Sequence, residues 1–151
     1  MDIKEHTTPE KLEKYSFLYS EIRLLVAAVA LIIGGMPPVM YVAMLVPALM
    51  GLLTTLLTLG QILSGVAAGY LLYLWQQKEW RVFGAQKGAD IAAFAIMIGS
   101  GLHLGIAGLF RVNIGMTVTM SYSVFVIAGI LYVLSAIYLF KRWKEKGEQL
   151  F

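Results

Sequence analysis

The sequence predicts an all-α fold: an integral membrane four-helix bundle made of two duplicated parallel helical hairpins, with a short N-terminal interfacial helix. Three observations carry this. Hydrophobic residues make up 59% of the 151 residues and charged residues only 14%, against about 25% charge in soluble domains. Apolar stretches run from Leu24 to Trp75, from Ile91 to Phe110 and from Ile114 to Phe140, each enough for the roughly 20 residues that cross about 30 Å of hydrocarbon as a helix. Residues Val26 to Gly35 read VAAVALIIGG and, 65 positions later, Ile91 to Ser100 read IAAFAIMIGS, with five identities in ten. At that offset Thr54 falls on Thr119, Ile62 on Ile127, and Tyr73-Leu74-Trp75 on Tyr138-Leu139-Phe140, so each repeat reads as a pair of membrane helices.

The first 22 residues form a cytoplasmic or interfacial segment. Thr8-Pro9-Glu10 has the order of an N-cap, a proline at the first helical position and a carboxylate in the first turn. Leu12, Tyr15 and Tyr19 then recur at helical spacing opposite Lys11 and Lys14, which suits a helix lying on the membrane surface. Asp2, Glu5, Glu10 and Glu13 depart from the basic-then-apolar pattern of a cleaved signal peptide, so the first span is expected to be retained.

The first hairpin occupies 23–77, with spans at 23–45 and 50–76. A cytoplasmic loop follows at 78–88. The second hairpin occupies 89–142, with spans at 89–110 and 116–141, and 143–151 is a cytoplasmic tail. Charge fixes this count. Lys4, Lys11, Lys14 and Arg23 precede the spans, Lys78, Arg81 and Lys87 divide them, and Lys141, Arg142, Lys144 and Lys146 follow. Two spans on each side of the middle cluster bring all three to the cytoplasmic face, as the positive-inside tendency requires. Both termini are therefore expected in the cytoplasm, and the protein in the plasma (inner) membrane. Tyr73, Trp75 and Trp80, and Tyr138, Phe140 and Trp143, are placed to anchor the inner ends in the headgroup layer.

Within the spans, Gly34-Gly35-Met36-Pro37-Pro38 removes two backbone donors and clashes with carbonyls a turn earlier. The helix must break there, either to line a site or to fit its neighbours. His103 is the one ionisable side chain near a span centre, and such residues face an interior or a cavity. It reads as a hydrogen-bond donor between helices or as a ligand contact. Gln61 sits mid-span, and Thr54, Thr55, Thr58 and Ser64 give the same helix more hydroxyl groups than packing requires. Pro37, Pro38, Thr54, Thr58, Gln61, Ser64, Ser100 and His103 are thus candidates for one polar cavity. Gly65 and Gly69 on the second span, and Gly101, Gly105 and Gly108 on the third, form small-residue stripes for close helix packing. Glu21, Arg23 and Asp90 are placed at the inner rim, within reach of water.

No catalytic, cofactor or metal motif is legible. The absence of cysteine excludes dithiol chemistry and thiolate metal sites, and the basic residues gather at membrane boundaries rather than in a nucleic-acid patch. The lack of a mid-span carboxylate weighs against proton- or sodium-coupled transport. The bilayer is the first partner. The readings left are a small oligomeric channel or transporter for a small solute, and a non-catalytic subunit or assembly factor that docks on other membrane proteins; a membrane enzyme, with His103 as its sole base, ranks third.

Overall fold

The computed structural model describes residues 8–111 and 121–151. They form helices α1 (Pro9–Ile32), α2 (Pro38–Leu45), α3 (Met50–Gln77), α4 (Gly88–Phe110) and α5 (Tyr122–Glu145), with a 3-10 turn at Pro47–Leu49 before α3. The four long helices are each long and apolar enough to cross a membrane. The loop expected after α4, with Thr119 and the first residues of the 116–141 span, lies outside the described residues.

Helix α1 starts where Thr8-Pro9-Glu10 directs, with proline in the first turn and Glu10 beside it. It then runs unbroken to Ile32, so the interfacial segment and the first span are one helix. Its 24 residues cover about 36 Å at 1.5 Å per residue, which suffices for the crossing. The expected span at 23–45 is correspondingly not one helix. The glycine and proline break falls at the far end of α1 rather than midway through a span.

The break is held by hydrogen bonds. Gly34 and Gly35 take φ of +111° and +85°, a region open to glycine at little steric cost, and their N–H groups donate to the carbonyls of Leu31 and Ala30. Pro37 precedes α2 and Pro38 starts it. The carbonyls of Ile32 and Ile33, left without helical donors, accept from the Tyr122 hydroxyl at 3.0 Å and the Tyr41 hydroxyl at 3.1 Å.

One end of the bundle gathers both described chain ends and the loop between α3 and α4. Lys14 Nζ donates to Glu148 at 2.6 Å, the Phe83 N–H donates to the Leu150 carbonyl at 2.7 Å, and the Phe94 and Phe151 rings meet edge-on at 5.8 Å. Helices α1 and α4 therefore leave this face in the same direction, and α3 and α5 return to it. The closest helix pairs are α3 with α4 and α1 with α5, so the main interfaces join the two halves rather than the helices within each half.

Two aromatic contacts pair residues at offsets other than 65. Trp75 stacks edge-on against Phe94 at 5.1 Å, and Trp143 lies against Phe17 at 5.3 Å. These matched contacts pair α3 with α5 at an offset of 68 and α1 with α4 at 77. Ala68, Leu71 and Trp75 are buried, as are Ala136, Leu139 and Trp143, whereas the expected partner of Trp75, Phe140, is 44% exposed. Apolar helices draw on few residue types, so local likeness does not fix contacts. The two tryptophans also turn from headgroup anchors into core residues, while Tyr73, Trp80 and Phe140 remain exposed.

Of the five glycines expected to pack, four do. A β-carbon on Gly65 would fall 2.7 Å from Gly105 Cα, one on Gly101 would fall 2.6 Å from Ala68 Cβ, and one on Gly108 would fall 2.9 Å from Gln61 Cβ. Gly69 has nothing within 4 Å of such a carbon. The contact line on α3 runs through 61, 65 and 68, because two helical turns advance about seven residues rather than eight. Gly129, which no sequence pattern singles out, does the same work for α5: a β-carbon there would fall 2.7 Å from Ile32 Cγ1.

Candidate functional site

A cavity of about 790 Å³ opens among α1, α2, α3, α4 and α5. Five residues singled out as polar-site candidates line it: Pro37, Gln61, Ser64, Ser100 and His103. Three others do not. Pro38 begins α2 beside the cavity without lining it, Thr54 is exposed, and Thr58 is half-buried outside it. Their hydroxyls donate to the carbonyls of Met50 at 2.7 Å and Thr54 at 3.0 Å. Such bonding one turn back satisfies a hydroxyl inside its own helix, so these groups need no wet surface. Thr55 is satisfied likewise by Gly51.

The floor of the cavity is built around a residue that sequence reasoning placed at the rim. Arg23 is 7% exposed and stands roughly 21 Å along α1 from Pro9. Its Nη1 donates to Ser100 Oγ at 2.5 Å and its Nη2 to the Met97 carbonyl at 2.8 Å. Ser100 Oγ in turn donates to Met97 O at 2.9 Å, which aims its lone pairs at the guanidinium. Across the floor, the Tyr19 hydroxyl donates to the Gly60 carbonyl at 2.7 Å, and Ser64 Oγ donates to the same carbonyl at 2.9 Å. Tyr132 of α5 completes this layer. Above it the walls are apolar, with Ile22, Val26, Leu57 and Phe125 prominent.

Glu21 is 5% exposed, and its Oε1 has no hydrogen-bond partner among the described residues. It does not line the cavity. Glu21 and Arg23 were misplaced for one reason. A reading that keeps charge out of hydrocarbon starts the span at Arg23 and leaves both groups at its edge, whereas the bundle interior supplies the hydrogen bonds that lipid lacks. Glu21 lies inside a helix long and apolar enough to cross a membrane, so the lack of a mid-span carboxylate no longer weighs against coupled transport. The only available signal was the helix start at Thr8-Pro9, which puts Glu21 and Arg23 well inside a helix of crossing length.

Asp90 is also buried rather than rim-exposed. Arg142 Nε and Nη2 grip its two oxygens at 3.0 Å each, and the Tyr138 hydroxyl donates to it at 2.7 Å. This bidentate geometry locks α4 to α5 near the terminal face, away from the cavity, so its role is structural.

No protein-family model matches the chain, and neither a curated protein nor a solved structure matches it significantly. The site is accordingly read from its own geometry.

Proposed function

We propose that the protein is a small channel or transporter, with the Arg23 cavity as part of its solute path. The observation that carries the reading is a cavity of about 790 Å³ among apolar helices, with Arg23, Ser64, Ser100, Gln61 and His103 on its wall. Buried polar groups in a membrane cost free energy unless they serve packing or a path, and packing alone favours filling such a volume. The glycine stripes give the alternative less support, because Gly65, Gly101, Gly105 and Gly108 are consumed by contacts inside the chain and are not free to dock a foreign helix. The protein is read as lying in the inner membrane with both termini cytoplasmic, and self-association would complete a path that one small bundle only begins.

The test is solute entry into proteoliposomes, followed by stopped-flow light scattering with a panel of glycerol, urea, formate and acetate. Protein-dependent entry of at least one solute, lost in His103→Leu while the variant keeps its helical content, is the expected result. Entry no faster than in empty vesicles for the whole panel, with a stoichiometric foreign polypeptide retained on purification, would replace this reading with that of a subunit.

A further inference from the structure

We infer that the Arg23 cavity is a binding site for an amphiphilic organic anion, a carboxylate carried on an apolar chain or ring. This deepens the solute-path reading and rests on it for biological purpose, but the site can be tested without transport. Among the described residues Arg23 forms no ion pair within 4.0 Å of a carboxylate. Its contacts, the Ser100 hydroxyl and the Met97 carbonyl, are neutral. Two of the guanidinium's five N–H donors are used, and Nε is buried without a partner.

The Glu21 carboxylate acts on Arg23 only from beyond ion-pair distance; a guanidinium held away from water without a contacting carboxylate is costly, and an anion within reach offsets that cost. Arginine suits this task because its planar fork matches a carboxylate. The Gln61 amide and the Tyr132 hydroxyl also line the cavity, and no Asp or Glu does, so no negative charge on its wall competes with an anion. The apolar walls at Ile22, Val26, Leu57 and Phe125 would take the rest of the ligand. The volume of about 790 Å³ falls in the range of roughly 300 to 1,000 Å³ found for small-molecule sites. A charge at the floor and apolar walls above it select for a molecule that is anionic at one end and greasy at the other.

The experiment is equilibrium dialysis of the detergent-solubilised protein against radiolabelled octanoate, 1-octanol or octylammonium, with binding to empty micelles subtracted. The three probes share one chain and differ in charge. Saturable octanoate binding of one per chain, at least tenfold tighter than either other probe, is expected. Equal or tighter binding of octanol or octylammonium by the unaltered protein overturns the inference, and this comparison needs no variant. Arg23→Lys should keep the preference for the anion and Arg23→Gln should lose it; a folded Arg23→Gln protein that still prefers octanoate also overturns it. Competition then separates two sources of the same chemistry. Displacement by oleate points to an acyl anion from the bilayer, displacement by benzoate to a water-borne acid, and displacement by neither counts against the site. Anion-selective binding without any flux would leave the site standing and remove only the transport reading.

Discussion

Gly65 of α3 and Gly105 of α4 face each other so closely that a β-carbon on Gly105 would sit 2.5 Å from the Gly65 Cα. The obstructing atoms are backbone, so neither helix can yield by turning a side chain. This contact sets the approach of α3 and α4, and through it the position of Ser64 and Ser100 on either side of the cavity floor. Gly105→Ala should cost about 1 to 3 kcal/mol, the usual penalty of overpacking, whereas Gly69→Ala, with nothing within 4 Å, should leave stability unchanged. Thermal unfolding in detergent compares them. Equal losses from both would show that the α3–α4 contact line is drawn wrongly.

The Asp90–Arg142 pair should behave as a coupled unit. Arg142→Met strips two charge-assisted bonds from a carboxylate with no exposed surface, and removing one side of such a pair destabilises because it leaves the other charge without its partner. The double variant Asp90→Leu with Arg142→Met, which leaves no orphaned charge, should be more stable than Arg142→Met alone. A double-mutant cycle on unfolding midpoints reads the coupling, and additive losses would contradict it.

Glu148 supplies a pH-dependent tie across the terminal face. Hydrogen bonds from Lys14 and then Lys144 hold its carboxyl down at about 2, against an ordinary 4.5. A depressed folded-state value means stability that is complete above about 4.5 and is lost as pH falls toward 2. The difference in unfolding midpoint between the unaltered protein and Glu148→Gln should be constant from about pH 5 to 8 and shrink below about 4.5. The group is exposed, so the difference is small. A difference that grows on acidification would reverse the assignment.

Membrane sidedness can be read directly, because the chain has no cysteine of its own. In intact cells an impermeant thiol reagent should label Asn113→Cys and spare Lys146→Cys, which the contacts of Lys14 and Phe83 with the C-terminal residues place on the same face as the 78–88 loop. Labelling of Lys146→Cys but not Asn113→Cys would invert the protein.

Composition and span length alone made the membrane class and the four long helices legible, because a helix of about 20 apolar residues is the simplest way for a chain to satisfy its backbone in hydrocarbon. Proline and glycine placed the break at 34–38 and the start of α1 for equally local reasons. Depth and partnership were not local. Arg23 looked like a rim charge until Ser100 and Met97, some 75 positions away in the chain, were seen to supply its hydrogen bonds, and Asp90 until Arg142 closed on it. The likeness at an offset of 65 did not predict the ring contacts of Trp75 and Trp143, which join distant segments. Which residues face the cavity, which glycines touch and which charges are buried depend on how α1, α3, α4 and α5 are rotated against one another. That rotation is set by contacts between distant segments, such as Gly65 with Gly105 and Phe17 with Trp143, and only the packed tertiary structure contains them.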